Sequence, residues 1–392
     1  MTAMTPSTDL SGFRNKALFI GLAGAAALAA GFASNSDQFF RSYLIGFLYW
    51  LIIGVTCNGL LCLHHLVGGR WGVVIRRLLE SGSRTLPLNF LFAVPIVLNL
   101  HKIYEWTHEE VVKGDKILEH KAAWLNPQFF QLRVVLYFSI WIVMGFLLNR
   151  WSREQEEGGG EAAKDKLRAL SGPGIVIHVL TLTFASFDFA MSLEPHWYST
   201  IYGILFVVGG ALSCMAFLIL VLRRLSASEP LAAILKPDHF ADLGTIMFAF
   251  VVLWAYVSFS QYLIIWSANL PEETPWYVKR TAGTWGFLVT LLMLFHFTAP
   301  FFLLLIRFNK RKSAILATIA TMMLIMRFVD LTWLVAPAFH EAEQAAQYSI
   351  HWMDVTAPIA LGGLWVGFFV WQLSRRSLVP LEVARLNLGG HP

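Results

Sequence analysis

Two carboxylates lie inside segments that are otherwise apolar, and they are the side chains of this sequence best placed to do chemistry. Asp188 belongs to the run SFDFAMSLEPHWYSTIYG, and Asp330 belongs to the run FVDLTWLVAPAFH. A charged side chain at bilayer depth costs about 2.5–3.5 kcal/mol, so an ionisable residue there is a functional candidate by default. Burial disfavours the charged form of a carboxyl group. Both aspartates could therefore take up and release protons; the alternative is that each forms a structural ion pair between helices.

Other polar side chains in or beside these apolar segments could extend a path for protons. Arg327 lies three residues before Asp330 on the same helix face, so the two side chains can pair. Imidazole titrates near neutral pH, which suits a proton relay, although each of the histidines in these segments, taken alone, is more often a hydrogen-bonded packing residue. The remaining predicted members of the path are His64, His101, Glu105, His178, Glu194, His196 and His296.

The gaps between these groups would have to be bridged by water or by neutral polar side chains. The bridging candidates are Thr183, Ser186, Ser258, Ser260 and Gln261. Glu194 and His196 follow Asp188 in a short segment, where they could form an exit for protons or a docking contact. Arg133 begins an apolar segment and could bind a lipid headgroup, bind the carboxylate of a partner subunit, or extend its charged end towards water.

Cofactor binding by this chain is not predicted. His64 and His178 are the one pair of histidines that could hold a haem, and a transmembrane electron path would need a second pair at the other face. Cys57, Cys62 and Cys214 all lie in apolar segments and form no Cys-x-x-Cys motif, so we expect neither a metal site nor an iron–sulfur cluster.

The composition is that of a membrane protein. Of the 392 residues, 56% are hydrophobic and only 14% are charged, whereas soluble domains carry about 25% charged residues. Apolar segments of about 20 residues recur, which is the length that crosses a bilayer as a helix. We therefore predict an all-α polytopic membrane protein with ten transmembrane helices. They are expected at 16–34, 43–66, 86–104, 129–149, 173–193, 200–222, 244–268, 283–306, 314–335 and 355–373.

Lysine and arginine concentrate in the termini and in the loops on the same side as the termini. This bias predicts that both termini are cytoplasmic. It also explains the isoelectric point of 9.1 as a topology signal, with anionic lipid rather than nucleic acid as the partner. Residues 71–80 are expected to lie along the membrane interface, and residues 151–171 are expected to form a polar cytoplasmic loop. On the other side, Trp106, Trp124 and Trp352 suit an interfacial aromatic belt.

A repeated sequence pattern contains the two carboxylates. Asp188 is followed seven residues later by Pro195, and Asp330 is followed seven residues later by Pro337. Each aspartate is expected roughly 8 Å below the end of its helix. We therefore predict, within a single membrane domain spanning 1–392, two four-helix bundles (43–193 and 200–335) flanked by the first and last helices.

The run around Asp188 resembles a family of membrane subunits, and two further runs carry the same resemblance. They are HWMDVTAPIALGGLWVGFFVWQL at 351–373 and RRSLVPLEVARL at 375–386. Together they are similar to the ActF-type subunits of bacterial alternative complex III, within the NrfD/PsrC-like family. The resemblance covers nearly the whole chain. It implies a place in the inner membrane and a part in respiratory or photosynthetic electron transport.

The resemblance also implies a set of partners. The complex is a quinol:cytochrome c (or other periplasmic acceptor) oxidoreductase, and its other subunits would hold haem c and iron–sulfur clusters. Menaquinol or ubiquinol would be oxidised in the sister NrfD-like subunit, and this chain would supply the coupled proton path. The implied partners are the sister subunit (ActC), the iron–sulfur subunit (ActB), the multihaem cytochrome c (ActA), the monohaem cytochrome c (ActE), small membrane subunits and, as a further candidate, a terminal oxidase.

Two other functions stay open. One is a stand-alone secondary transporter, for which Gly209–Gly210 and Pro95 are the hints of broken helices. The other is a purely structural scaffold that holds redox subunits on the membrane.

Overall fold

The computed structural model describes residues 10–229, 231–340 and 349–379, and these residues contain helices and no strand. Short 3-10 helices and two π-helical segments, Gln155–Gly159 and Leu292–Thr298, join or interrupt the α-helices. The α-helices are α1 Ser11–Ser34, α2 Ser36–Val67, α3 Arg70–Ser83, α4 Leu86–Leu98, α5 Glu109–Lys113, α6 Lys116–Lys121, α7 Pro127–Glu154, α8 Gly160–Phe189, α9 Tyr202–Leu225, α10 Leu231–Ile234, α11 Pro237–Ala268, α12 Thr274–Thr281, α13 Gly283–Leu291, α14 Ala299–Leu305, α15 Arg307–Arg311, α16 Ser313–Val335 and α17 Trp352–Leu373.

Nine helical segments of the described residues are long and apolar enough to cross a membrane. The prediction of an all-α, multi-pass membrane protein is confirmed at this level. One of the nine, Pro127–Leu193, has 67 residues, which is far more than the roughly 20 that a bilayer requires. The backbone reverses inside it at Gly158, whose φ of +116° is readily adopted only by glycine.

The helices pack around α2, which is buried along most of its length. Helix α2 contacts α3, α4, α7, α8, α9 and α17, while α9 packs on α11 and α16. Helix α1 lies against α17 at close range, because an added Cβ at Gly21 would meet the backbone nitrogen of Leu364 at 2.5 Å. These contacts place α9, α11, α13, α14 and α16 together beside the group that contains α2.

Two segments differ from their predicted form. Helix α3 is not a surface helix, since Arg76 and Arg77 are buried and bond to Glu80 on the same helix. The expected loop at 151–171 is helical apart from the reversal at Gly158, because its alanine, lysine, glutamate and leucine residues favour helix.

Gly209 and Gly210 in α9 do not interrupt a helix, which was the role considered from the sequence. Helix α9 is continuous from Tyr202 to Leu225, so Gly209–Gly210 do not break it. The glycines instead allow close packing, as an added Cβ at Gly210 would lie 2.5 Å from Thr56 Oγ1 on α2.

Part of the C-terminal run that carries the family resemblance, residues 380–386, lies outside the described residues.

Candidate functional site

The side chains of Arg327 and Asp330 form a buried pair on α16. The guanidinium Nη1 donates to Asp330 Oδ2, and each residue is only 3% exposed. Arg327 also donates from Nε to Ser213 Oγ on α9 at 3.4 Å. An added Cβ at Gly209 would lie 2.1 Å from Arg327 Nη2. The pair predicted from the i, i+3 spacing is therefore present, and a glycine on the neighbouring helix makes room for it.

Asp330 lies in the wall of a cavity of about 860 Å³. Helices α9, α11, α12, α13 and α16 and the π-helical segment Leu292–Thr298 surround it. Its lining is mainly aromatic and aliphatic, and the exposed side chains of Tyr256, Phe259 and Met293 show that it opens on the surface of the chain. A large apolar cavity with a few polar groups is the usual form of a small-molecule ligand site. The hydroxyl, amide and carboxyl groups in its lining belong to Tyr256, Ser258, Gln261, Tyr262, Tyr277, Thr281, Thr298 and Asp330.

His296 lies beside this cavity, in the π-helical segment. Its ring is fully buried, and neither ring nitrogen has a hydrogen-bond partner among the described residues. The ring contacts Trp254, with 3.9 Å between the centroids, and it lies within electrostatic range of Arg327. Leaving a buried polar group unsatisfied costs about 1–3 kcal/mol, and π-helical turns occur frequently at functional sites. Arg327, Asp330 and His296 are thus three predicted residues that the fold brings together.

A row of polar side chains leads from the cavity towards the segment that follows α8. Gln261 donates from Nε2 to the Tyr277 hydroxyl at 3.3 Å and accepts from the Ser199 hydroxyl at 3.2 Å. Tyr202, at the start of α9, lies within electrostatic range of both Asp330 and Glu194. Gln261 was predicted as a bridging group, and the structure places it between the cavity and a loop.

Asp188 occupies a separate cluster and is fully buried there. Arg133 donates from Nε to Oδ2 and from Nη2 to Oδ1, each at 2.8 Å. The Tyr137 hydroxyl donates to Oδ2 at 2.7 Å, and the Trp124 indole donates to Oδ1 at 3.2 Å. All four hydrogen bonds run from N–H or O–H donors to the carboxylate, and the two from Arg133 reach both of its oxygens. The geometry favours the structural ion pair over proton carriage for Asp188.

The position of Asp188 along its helix also differs from the expectation. Helix α8 ends at Phe189, one residue later, and a 3-10 turn covers Met191–Leu193. Asp330 lies five residues before the end of α16, as expected. The two aspartates therefore do not occupy equivalent depths below their helix ends, because α8 ends earlier than its apolar run.

Glu194 belongs to a third cluster. It accepts from Arg280 Nη2 at 2.5 Å and pairs with Lys279 at 3.5 Å. The Arg280 side chain is 1% exposed, and its guanidinium lies 3.8 Å from the centre of the Trp276 ring. The Trp276 ring in turn stacks on Trp197 at 4.4 Å. Glu194 is therefore held by cations of α12.

The other predicted histidines do not join these groups. The His178 ring packs on Gly59 and the His64 ring on Gly72, so the two rings contact different helices and do not face each other as a pair of axial ligands would. His101 and Glu105 are exposed in the segment after α4. His196 is also exposed, and its Nε2 contacts Asp115 Oδ2.

Several residues of these clusters were not singled out from the sequence. Trp124 and Trp106 were assigned to an interfacial belt, yet Trp124 bonds to Asp188 and Trp106 donates to the Ser192 carbonyl at 3.1 Å. In the sequence, Arg280 was considered only as one of the positive charges outside the apolar segments. An arginine close in sequence to an aromatic residue can indicate that the two side chains stack. Trp254 and Tyr277 gave no signal in the sequence.

Comparison with known proteins gives no family assignment. No protein-family model matches this chain, and no curated protein matches it. Among the described residues, no group of three or more histidine, cysteine, aspartate or glutamate side chains is arranged to hold a metal ion.

Proposed function

We propose that this chain is a multi-pass subunit of a quinol-oxidising complex in the bacterial inner membrane, and that it carries protons for that reaction. The observation that supports the proton role most directly is that Asp330, paired with Arg327, lines the 860 Å³ cavity. Buried His296, with both ring nitrogens unpartnered among the described residues, lies beside it. An arginine, a carboxyl group and an imidazole around one cavity form a set that can exchange protons with water.

In this proposal, Asp330 is the proton-carrying group and Arg327 controls its charge. The cavity admits water to the carboxyl group from one direction. Gln261, Tyr277 and Ser199 continue the path towards the loop after α8, where Glu194 is held by Arg280. Asp188 has a structural role at the end of the other helical group, since Arg133 occupies both of its oxygens.

The proposed topology has ten membrane-spanning helices in two four-helix bundles, with α1 and α17 flanking them and both termini in the cytoplasm. The reversal at Gly158 supports counting Pro127–Leu193 as two spans. Polar contacts between segments support the assignment of each loop to one side of the membrane, because each contact joins two segments that are predicted to lie on the same side. On the cytoplasmic side they are Arg70–Asp242, Arg311–Asp238 and Arg76–Ser152, and on the outer side Lys102–Asp37, Lys121–Pro195 and Arg280–Glu194.

The complex that we propose is alternative complex III, with this chain as its ActF-type subunit. The runs at 186–203, 351–373 and 375–386 support this assignment by resemblance. The sister NrfD-like subunit would oxidise menaquinol or ubiquinol, and the partner subunits would carry the haem c and the iron–sulfur clusters. Purification in mild detergent tests the assignment, because the chain should elute with c-type haem absorbance. Elution of the chain alone, without haem-containing partners, would contradict it.

The proton role is tested by replacing Asp330 with asparagine in the complex reconstituted into liposomes. Proton release coupled to quinol oxidation should fall at least tenfold, since an amide cannot carry the proton. Asp188→Asn is the matched control, because it also removes a buried carboxylate from a helix but outside the proposed path. Reconstituted Asp188→Asn should keep the proton-to-electron ratio of the wild type. An unchanged ratio in Asp330→Asn would remove Asp330 from the mechanism.

A secondary transporter is the second candidate, and the cavity itself is the observation that favours it. The cavity opens on the surface of the chain, and the π-helical segment Leu292–Thr298 interrupts the span that borders it. Interrupted helices beside a central site are typical of transporters. Substrate-dependent proton uptake by liposomes that contain only this chain would favour this function over the subunit role.

A further inference from the structure

A cluster of arginines joins the segment that follows α17 to α3 and α7. Glu80 on α3 accepts from Arg76 Nε at 3.1 Å, from Arg376 Nη1 at 3.3 Å and from Arg77 on its own helix. Arg77 also pairs with Glu156, and Arg76 donates to Ser152 Oγ at 2.9 Å. Arg76, Arg77, Arg376 and the nearby Arg84 are called the basic cluster below.

The basic cluster carries more positive than negative charge. Arg76, Arg77 and Arg376 pair with the carboxylates of Glu80 and Glu156, and Arg84 adds a fourth positive charge, which leaves an excess of about two positive charges in a largely buried place. Arg84 has only a long contact from Nη1 to Gln372 Oε1 at 3.5 Å. The Nε of Arg77 is buried without a hydrogen-bond partner among the described residues. Buried charges are stable only when they are paired, so the cluster is short of anions.

The surroundings of the cluster add further positive charge at its surface. Arg153 and Arg375 are exposed and lie within electrostatic range of Arg84. Burial, together with repulsion from Arg84, Arg77 and Arg153, lowers the pKa of Arg376 to about 10 in spite of the opposing effect of Glu80. The gap enclosed by Arg77, Arg84, Asn149 and Arg376 measures only about 10 Å³. This is room for one water molecule, so a larger anion must lie at the mouth of the gap.

We propose that the mouth of the basic cluster binds the phosphate group of an anionic phospholipid. The planar guanidinium groups of Arg84, Arg153 and Arg375 match the oxygens of a phosphate in two-point hydrogen bonds. The cluster lies where α3, α7 and α17 end, and basic pockets between membrane helices on the cytoplasmic side bind lipid headgroups. The acyl chains would lie along exposed apolar side chains of the neighbouring helices. The site is independent of the proton path, because it uses none of the residues around the cavity.

The experiment measures lipid binding to the full-length chain, in whatever complex it purifies with, by native mass spectrometry in mild detergent. Dioleoylphosphatidylglycerol is titrated against dioleoylphosphatidylcholine, and inorganic phosphate is titrated alone. We expect the wild type to bind phosphatidylglycerol in preference to phosphatidylcholine. Removing one arginine should weaken this binding about fivefold, the factor that corresponds to about 1 kcal/mol per basic residue at a membrane surface.

The variants are chosen to leave the ion pairs of Glu80 intact. Arg84→Gln removes a side chain with one long hydrogen bond, and Arg153→Gln removes an exposed one, so both should fold. Arg307→Gln is the matched control, since Arg307 is exposed on α15 and lies outside the basic cluster. Equal affinity of Arg84→Gln, Arg153→Gln and the wild type for phosphatidylglycerol would overturn the site. Saturation by inorganic phosphate without binding of phosphatidylglycerol would overturn the lipid as its occupant and assign the same arginines to free phosphate.

Discussion

Arg133 and Asp188 form a two-point ion pair in which both N–O distances are 2.8 Å, although 55 residues separate them in the sequence. The Asp188 carboxylate is fully buried, and the Arg133 guanidinium lies against the rings of Trp124 and Phe129, at 4.1 and 4.4 Å from their centres. The pair therefore fastens α7 to the end of α8. Such a pair contributes mainly to structure, because Arg133, Tyr137 and Trp124 together donate four hydrogen bonds to the two carboxylate oxygens.

The first prediction concerns the stability of this pair. Arg133→Gln should lower the free energy of unfolding by about 3–5 kcal/mol, because it leaves a buried carboxylate without its counter-charge. Tyr137→Phe should cost less, about 1.5–3 kcal/mol, since it removes one hydrogen bond to a charged group. Denaturant unfolding in detergent measures both. The double variant Arg133→Met/Asp188→Leu should recover most of the loss, and a double variant as unstable as Arg133→Gln would speak against the ion-pair account.

The second prediction concerns the space that Gly209 leaves for Arg327. In Gly209→Ala the new methyl group would lie 2.1 Å from Arg327 Nη2, so the guanidinium must move away from Asp330. We expect a loss of about 1–3 kcal/mol in unfolding free energy from overpacking. Reduced proton release in the reconstituted complex should accompany it. Gly172→Ala is the control, because nothing lies within 4 Å of its added Cβ, and it should leave both measurements unchanged or slightly raise stability.

The third prediction compares two neighbouring cations that share one carboxylate. Arg280 and Lys279 both pair with Glu194, but the Arg280 side chain is 1% exposed and the Lys279 side chain 17%. Arg280→Met should cost about 3–5 kcal/mol of unfolding free energy, because it also removes the hydrogen bond to the Leu334 carbonyl. Lys279→Met should cost about 0–1 kcal/mol. Thermal unfolding of both variants in one detergent tests the difference, and equal losses would show that burial does not decide the strength of these pairs.

The fourth prediction is a pH dependence in the loop between α5 and α6. The hydrogen bond from His196 lowers the pKa of Asp115, and the backbone amides of Ile117 and Leu118 act in the same direction. A carboxyl group with a lowered pKa stabilises the fold above its ordinary pKa and loses this effect as the pH falls through the lowered value. Hydrogen exchange of residues 109–121, corrected for intrinsic rates, should therefore increase below about pH 4.

Asp115→Asn is the control for this prediction. Asparagine still caps the start of α6 but cannot form the charged contact with His196, so exchange should already be faster at neutral pH and should change less on acidification. Lys121, which donates to the Pro195 carbonyl at 2.5 Å, keeps the two segments attached in both proteins. Identical acid profiles for the wild type and Asp115→Asn would exclude Asp115 as the titrating group.

Local features of the chain could be read from the sequence by itself. Apolar segments of bilayer length indicated an all-α, multi-pass membrane protein, since the hydrocarbon core requires internally satisfied backbone groups. The Arg327–Asp330 pair was predictable because residues three apart share a helix face. The end of α16 near Pro337 followed from the missing amide of proline, whereas α8 ends six residues before Pro195.

Contacts between distant segments were decided only by the tertiary structure. Hydrophobic periodicity says which face of a helix is buried, but not which helix covers it, so none of the roles considered for Arg133 was the pair with Asp188 that the structure shows. The same reason explains why α3 was assigned to the membrane interface: its arginines face Glu80, Ser152 and Glu156 rather than lipid headgroups. The cavity beside Asp330 depends on five helices at once, and no local pattern encodes such an arrangement.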